Sequence, residues 1–278
     1  MPALYSKEHG AAMKKSSVLP DASMLILSVL IGVGSVVMFA LLQSVHYLPM
    51  GWPDSYVLVW DALLSLAFFA QHSGMVRRPV RARLAEIIAP RYQGALYSIA
   101  SGVVLALVVV LWQPSEARFF VLEGVPRWIA QGLSILAVAA FVSSAVTLRR
   151  SFDPLGLGPI RAHLRGRADR ADDFVVRGPY VWVRHPLYAC ILVLFWTNPD
   201  VTLDQFLLSV LWSTWIWVGA TLEERDLVAE FGEVYREYQR RVPMLIPWRG
   251  RVTLAGTQVG EPVWTSTPVT PDLSATTG

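Results

Sequence analysis

The chain has 278 residues, of which 54% are hydrophobic and 16% are charged. Soluble globular proteins usually carry about a quarter charged residues, so the shortfall favours a surface that largely faces lipid. The formal net charge of +3 is too small to indicate a nucleic-acid partner. The single cysteine, Cys190, excludes an intramolecular disulfide and a cysteine-built zinc site. The five histidines lack the spacing of metal ligands, so no metal is expected.

Four apolar segments are long enough to cross a hydrocarbon layer, which needs about 20 residues. They are Met24–Ser44, Tyr56–Ser73, Tyr92–Ser115 and Trp128–Leu148. The first is longer than the apolar region of a signal peptide, ~7–15 residues, and is expected to be a retained span. Further along, the apolar stretch Leu187–Thr197 is too short to cross alone, and a full-length run, Leu203–Leu222, follows it. This pair predicts a helical hairpin with its turn at Asn198–Thr202.

The positions of the basic residues predict how these spans are oriented in the membrane. Of the 24 lysines and arginines, 22 lie in the N-terminal segment, in the loops after the second and fourth spans, and after the last span. The positive-inside rule makes that side cytoplasmic, with both termini inside. The predicted regions are a cytoplasmic segment at 1–22, a four-helix membrane region at 23–148, a polar functional region at 149–248 and a disordered tail at 249–278, which is rich in Thr, Ser, Pro and Gly.

Polar residues in a membrane protein are costly unless they have partners, and the first of three polar clusters is Arg177–Tyr188. Pro186 suits the first turn of a helix, where its missing N–H costs nothing. His185 is therefore expected beside a helix N-terminus, whose free N–H groups can meet an acceptor such as a carboxylate. The alternative is an interfacial loop whose arginines contact lipid phosphates.

The second cluster is the carboxylate pair Glu223 and Glu224 at the end of the last span. Adjacent helical positions point about 100° apart, so one of the two, and not both, is expected to meet a cationic or hydroxyl-bearing ligand. The alternative is a solvated pair assisted by Arg225.

The third cluster, Phe231–Pro243, has aromatic residues at helical spacing. Tyr235 and Tyr238 are three residues apart and share one helical face, with Phe231 one turn earlier. The pattern predicts an amphipathic helix on the cytoplasmic surface, and an anchor whose tyrosines and arginines lie among lipid headgroups is the alternative.

Together the three clusters resemble the isoprenylcysteine carboxyl methyltransferase superfamily of membrane enzymes. The matching patterns, in chain order, are Gly178–Tyr180, Arg184–Tyr188, Glu223–Leu227, Phe231–Tyr238 and Arg241–Pro243. Within the superfamily, the chain is most similar to the methanethiol S-methyltransferase-like branch. The additional stretches that support this are Gln71–Ser73, Arg78–Pro79, Asp153–Leu157, Leu222–Leu227 and Val242–Pro247.

The resemblance implies S-adenosylmethionine as the cofactor, bound by the region 149–248. Carried over motif by motif, the residues implied to line or contact it are Val175, Tyr180, His185, Pro186, Leu187, Tyr188 and Glu223. The chemistry of these groups suits the ligand, because a carboxylate matches a cation or a ribose hydroxyl and helix N–H groups match the ligand's own carboxylate. Tyrosine rings can stack on adenine or face the sulfonium.

Two positions depart from the family pattern. Cys190 stands where the family often has glycine two residues after the motif tyrosine, and a larger side chain there is expected to narrow the pocket. Gly219 stands where members that process prenylcysteine carry an arginine for the substrate's carboxylate. That difference argues for an uncharged or thiol acceptor.

The resemblance therefore implies direct methyl transfer from the sulfonium to a small or lipophilic thiol. A thiol must lose its proton, because the thiolate is the nucleophile. His72, near the cytoplasmic end of the second span, is the candidate base or thiol-orienting group, and a histidine hydrogen-bonded at the interface is the alternative. Arg240 and Arg241 are candidates for shaping the acceptor end.

The expected fold is all-α: a polytopic membrane protein in contact with lipid, with four transmembrane helices, a C-terminal helical hairpin and a cytoplasmic amphipathic helix. Three other functions compete with thiol methylation. A prenylcysteine or lipid methyltransferase would use the same cofactor, an NADPH-dependent membrane reductase would use another, and a non-enzymatic accessory membrane protein would use none.

Overall fold

The computed structural model describes residues 3–41, 46–148, 153–166, 176 and 178–249. Within these residues the helices are α1 (Ala3–Leu41), α2 (Asp54–Met75), α3 (Arg78–Ile87), α4 (Gln93–Leu111), α5 (Gly124–Leu148), α6 (Gly158–Leu164), α7 (Pro186–Trp196), α8 (Leu203–Phe231) and α9 (Glu233–Arg241). Two short strands, β1 (Arg118–Val121) and β2 (Asp200–Thr202), and two 3₁₀ turns, Pro90–Tyr92 and Gly178–Val181, complete the list. The predicted tail lies outside the described residues, Arg249 excepted, and so does Val175.

Four helical segments in the described part of the chain are long and apolar enough to cross a membrane. They are Pro20–Leu41, Pro90–Leu111, Gly124–Thr147 and Leu203–Phe231. Helix α2 is of similar length, buries Asp61 and Ser65, and turns apolar side chains such as Val59 and Leu63 outward. The predicted all-α polytopic membrane fold is confirmed, and the protein is an integral membrane protein.

Helices α7 and α8 form the predicted hairpin. Helix α7 begins at Pro186, and α8 begins with a capping box in which Thr202 and Gln205 exchange side-chain and backbone hydrogen bonds. Helix α8 does not end at Leu222 but continues to Phe231. Its 29 residues span about 43 Å, more than the ~30 Å hydrocarbon layer, so its last turns project beyond that layer.

A two-stranded antiparallel sheet is present that the sequence analysis did not predict. Strands β1 and β2 pair Phe120 with Val201 and Val121 with Asp200. Beside the sheet, the Arg127 guanidinium donates to both oxygens of Asp200, at 2.9 and 2.6 Å. The turn of the hairpin is thereby tied to the segment between α4 and α5.

An aromatic core joins α2, α4, α7 and α8. Its buried members are Phe68, Leu105, Val108, Val109, Trp112, Phe195, Leu208, Trp212 and Ile216. Trp212 stacks on Phe68 with ring centroids 5.1 Å apart, and its indole N–H donates to the Ser65 hydroxyl at 3.1 Å. A buried indole N–H needs such a partner, so this bond fixes α8 against α2 in one register.

Two buried aspartates organise the end of the bundle where α2 and α8 begin. Asp61 accepts the backbone N–H of Gln113 at 3.0 Å. Asp204 accepts the Ser115 N–H at 3.0 Å and the Trp112 indole N–H at 3.2 Å. The segment after α4 therefore provides hydrogen bonds that hold the first turns of α8.

The opposite end, where α1, α4 and α7 begin and α2, α5 and α8 end, carries most of the arginines and is called the arginine-rich end below. There the segment before α6 packs against the start of α4. Gly156 has a φ of +64°, and a Cβ added to it would lie 2.1 Å from the carbonyl carbon of Gly94. Only glycine fits this approach, which places the segment after α5 against the membrane helices.

Candidate functional site

The carboxylate of Glu224 is the centre of a buried ion-pair network at the arginine-rich end. Arg184 donates to its two oxygens at 2.6 and 3.0 Å. The His185 Nε2 lies 3.1 Å from Oε1, and the Gln239 amide donates to Oε2 at 2.8 Å. About one tenth of the Arg184 and Glu224 side chains is exposed. Both oxygens of Glu224 are thus occupied within the protein.

Arg184 also holds the chain that follows α9. Its guanidinium donates to the backbone oxygens of Gln239, at 2.9 Å, and Val242. Its own N–H donates to the Pro243 oxygen at 2.9 Å, and the next N–H, of His185, donates to the Met244 oxygen at 3.1 Å. The start of α7, the end of α8 and the segment after α9 are therefore joined in one rigid unit.

Glu223 has different surroundings, since 44% of its side chain is exposed. The Tyr188 hydroxyl donates to its Oε2 at 3.1 Å, and the His185 Nδ1 lies 3.9 Å from the same oxygen. The rings of His185 and Tyr188 stack, with centroids 5.4 Å apart and planes 9° from parallel. The structure brings these three predicted residues together around a carboxylate that remains accessible.

Tyr180 lies next to this group, in the 3₁₀ turn before α7. Burial, together with the nearby Glu223 charge, raises the pKa of its hydroxyl, so the phenol is neutral at physiological pH. The Tyr180 carbonyl accepts the Tyr238 hydroxyl at 2.7 Å. Tyr235 and Tyr238 are both buried, and the arginines of α9 face outward. The predicted amphipathic helix is confirmed, and its tyrosines pack inward rather than lying among headgroups.

His72 lies deeper in the bundle, near the end of α2. Its Nε2 is 2.6 Å from the Tyr97 hydroxyl, and the rings of Phe68 and Trp215 pack against it, each with a centroid distance of 5.2 Å. The Glu223 charge is close enough to act on the phenols of Tyr97, Tyr180 and Tyr188. Tyr97 is thus hydrogen-bonded to His72 and within electrostatic reach of Glu223.

One stripe of α8 links these two parts. Trp215, Gly219 and Glu223 follow at intervals of four residues and so share a helical face. A Cβ atom added at Gly219 would meet nothing within 4 Å. Below this gap, Trp215 stacks on Phe69 at 4.7 Å and donates its indole N–H to the Ser73 hydroxyl at 3.1 Å. An open space thus lies between Glu223 and an aromatic floor.

The remaining predicted residues have other positions. Pro186 and Leu187 form the first turn of α7, within the same turn as Tyr188. Arg240 and Arg241 lie on the exposed side of α9, where Arg240 pairs with Glu233 at 2.7 Å and Arg241 with Glu237 at 2.5 Å. These pairs point away from the buried tyrosines of α9, and a part for the two arginines at the acceptor end stays a prediction.

Cys190 lines an apolar groove of about 850 Å³ between α5 and α7, together with Ala140, Ala189 and Val193. It is two residues from Tyr188, which places the two side chains about 200° apart around α7. The departure from the family's glycine therefore affects this groove and not the space beside Glu223.

Sequence reasoning missed Tyr97 and the structural part of Glu224. Tyr97 lies in an uncharged apolar span, where the one available signal is a hydroxyl group near the span's arginine-rich end. The pattern Glu223-Glu224 predicted that one carboxylate meets a ligand, but long-range partners such as Arg184 and Gln239 decide which one.

Comparisons with known proteins identify the family of this chain. The family model described as "NnrU protein" matches residues 62–198. A protein of Pseudomonas sp. (strain GM41(2012)) named methanethiol S-methyltransferase is 36% identical over 208 residues, which cover 72% of this chain and 76% of the relative. The chain belongs to the methanethiol S-methyltransferase family. It is thus a membrane methyltransferase, and an enzyme of that class needs a methyl donor.

Two further members of the family support the assignment. Methanethiol S-methyltransferase of Pseudomonas deceptionensis is 33% identical, with 70% of this chain and 74% of the relative covered. Methanethiol S-methyltransferase 2 of Bradyrhizobium diazoefficiens is 34% identical, with 69% and 73% covered. No solved structure matches the chain.

Proposed function

We propose that this member of the family transfers a methyl group from S-adenosylmethionine to a small uncharged thiol such as methanethiol. The observation that carries the proposal is the arrangement on one face of α8: the accessible Glu223 carboxylate, the gap at Gly219 and the aromatic floor at Trp215. This arrangement has a polar end for a cofactor and a small apolar space for an acceptor.

The residues around Glu223 fit the cofactor, which supplies an electrophilic methyl group when it is bound. Glu223 offers a carboxylate oxygen to a cation or a ribose hydroxyl, and Tyr188 orients that oxygen. The first helical hydrogen bond of α7 runs from the Ala189 N–H to the His185 oxygen at 3.0 Å. The N–H groups of Leu187 and Tyr188 precede it, and can therefore donate to the cofactor's carboxylate.

The neutral phenols provide a second kind of contact. Tyr180 and Tyr188 are held near Glu223, and Tyr188 is oriented by its stacking on His185. An electron-rich ring face attracts a sulfonium and stacks on adenine. Val175, which lies outside the described residues, remains a proposed part of this pocket.

The acceptor space favours a small thiol. Gly219 leaves the space beside α8 free, and Trp215, stacked on Phe69, closes it about one helical turn below. No basic residue lies between Val201 and Leu222, so a carboxylate-bearing acceptor has no counter-charge from α8. We further propose that His72 receives the thiol proton, since thiolate is the nucleophile.

The membrane setting completes the proposal. We infer that the arginine-rich end faces the cytoplasm, because nearly all basic residues lie there. The cofactor would then enter from water, and the lipophilic acceptor would reach the gap from the lipid that surrounds the helices.

Binding and turnover test the proposal. Calorimetry on the detergent-purified full chain is expected to give micromolar binding of S-adenosylmethionine and no binding of NADPH. Glu223→Ala should abolish this binding, and Glu233→Ala, at an exposed glutamate of α9, should not. Conversion of methanethiol to dimethyl sulfide by the wild type should follow. Binding of NADPH alone, or cofactor binding without turnover of any small thiol, would contradict the proposal.

A further inference from the structure

The hydroxyl of Tyr97 occupies the edge of His72 that carries its ring nitrogens. It lies 2.6 Å from Nε2 and 3.2 Å from Nδ1. The imidazole is packed on other sides by Phe68 and Trp215. Proton exchange with the nitrogens of His72 therefore passes most directly through this hydroxyl.

We propose that Tyr97 and His72 act as a pair, with Tyr97 taking the thiol proton while it passes its own proton to His72. The inference rests on the proposed function. Tyr97 is on α4, where its hydroxyl is bonded to the His72 ring and lies within electrostatic reach of Glu223. A general base must be within hydrogen-bond reach of the proton that it removes, and the pair extends the reach of His72 by one hydroxyl.

The step balances in atoms and charge. The acceptor sulfur forms a bond to the methyl carbon as the carbon–sulfur bond of the donor breaks, and that electron pair stays on the donor sulfur. The thiol proton moves to the Tyr97 oxygen, and the Tyr97 proton moves to a nitrogen of His72. The products are two neutral thioethers and an imidazolium, which later releases its proton to water.

Charge conservation suits this buried position. Before the step the positive charge is on the sulfonium, and after it the charge is on His72, so the net charge of the site does not change. Creating a new isolated charge in an apolar interior would be far more costly. Because Tyr97 gains one proton as it loses another, its phenol never becomes an anion.

The test compares two thiols of nearly equal size, ethanethiol and 2,2,2-trifluoroethanethiol, of which the second is far more acidic. Tyr97→Phe should lower turnover of ethanethiol about 100-fold, within the range of one general base. Turnover of the fluorinated thiol should fall by less than about threefold, because its thiolate is already present. Tyr56→Phe, at an exposed tyrosine of α2, is the control and should behave as wild type.

Two further measurements separate the proton path from mere packing. The ethanethiol rate of Tyr97→Phe should rise with pH in proportion to the thiolate fraction, and calorimetry should show unchanged cofactor affinity. The double variant Tyr97→Phe/His72→Gln should be no slower than Tyr97→Phe alone, since the two residues form one path.

The outcomes are distinct for the two proposals. Equal losses with both thiols, or losses that multiply in the double variant, would overturn the pair while leaving methyl transfer intact. A wild-type protein that binds S-adenosylmethionine but methylates neither of these thiols nor methanethiol would overturn the proposed function and this inference together.

Discussion

Glu223 and Glu224 are adjacent in α8, yet their carboxylates have opposite surroundings. Glu224 is buried and bonded to Arg184, His185 and Gln239, whereas Glu223 is accessible and bonded to Tyr188. His185 lies between them, with one ring nitrogen toward each. The helix thereby buries one carboxylate within the structure and leaves the other accessible.

Substitution of each carboxylate by its amide should separate these roles. Glu223→Gln is expected to weaken S-adenosylmethionine about 10-fold or more, since a hydrogen bond to a charged group contributes about 1.5–3 kcal/mol, with an unchanged melting temperature. Glu224→Gln leaves Arg184 buried without its counter-charge, which should lower the free energy of unfolding by about 3–5 kcal/mol. Calorimetry measures the cofactor affinity, and thermal unfolding in detergent measures the stability. A loss of stability in Glu223→Gln, with a loss of affinity alone in Glu224→Gln, would refute the assignment.

The hydroxyl and the ring of Tyr188 should contribute separately to the affinity for S-adenosylmethionine. Tyr188→Phe removes the bond to Glu223 but keeps the stacking on His185, and is expected to weaken cofactor binding about 5-fold, in line with a hydrogen bond of about 1 kcal/mol. Tyr188→Leu removes both and should weaken it further. Titration calorimetry is the measurement, and equal affinities of the two variants would exclude a contribution from the ring.

Filling the gap beside α8 should block the acceptor and spare the cofactor. Gly219→Leu places a side chain where the structure leaves at least 4 Å free, and methanethiol turnover should fall at least about 10-fold. Gly132→Leu, at a helical glycine of α5 with equally free space, is the matched control and should retain turnover. Cofactor affinity measured in parallel should be unaffected by both. Loss of cofactor binding in Gly219→Leu would place the cofactor, not the thiol, in the gap.

Gly156 should tolerate no side chain. Gly156→Ala combines a positive φ with a Cβ 2.1 Å from Gly94, so the segment after α5 must leave its place on α4. Gly51 has a similar φ, +68°, with free space around an added Cβ. Gly51→Ala should therefore lower the free energy of unfolding only by the strain of a positive φ, about 1–2 kcal/mol. The yield of monodisperse protein and its melting temperature measure both variants. Equal behaviour would mean that the close approach to α4 is unimportant.

Tyr238→Phe should lower stability by about 1 kcal/mol, because it removes a buried hydrogen bond to the Tyr180 carbonyl. Tyr56→Phe, on the exposed side of α2, is the control and should be neutral. Thermal unfolding gives the comparison. A neutral Tyr238→Phe would show that α9 is held by packing alone.

The membrane fold was predictable because long apolar runs have few alternative structures. The apolar run Met24–Ser44 predicts a membrane-spanning helix, and the polar break at Asn198–Thr202 predicts the turn of the hairpin. The β1–β2 pair was missed because strands of four and three residues carry no periodicity. The end of α8 was placed at Leu222 because polarity changes there, although the helix continues for nine residues.

The grouping of the candidate site residues in space was predictable where these residues are close in sequence. His185, Pro186, Leu187 and Tyr188 form one helical turn, and a turn places its members together. The pairing of Tyr97 with His72 joins α4 to α2 across 25 positions, and the bond of Arg184 to Glu224 spans 40. Such contacts depend on how helices pack, which a single sequence does not specify.

The buried hydrogen bonds of Asp204 have a consequence for the position of Glu223 relative to the two ends of the bundle. Nineteen residue steps of α8 separate Asp204 from Glu223, about 28 Å of helix, which is close to the thickness of a hydrocarbon layer. Asp204 is fixed by Ser115 and Trp112 at the end of the bundle where α8 begins. The length of α8 therefore sets the distance of the accessible Glu223 carboxylate from that end, and this distance matches the thickness that the apolar helices have to cross.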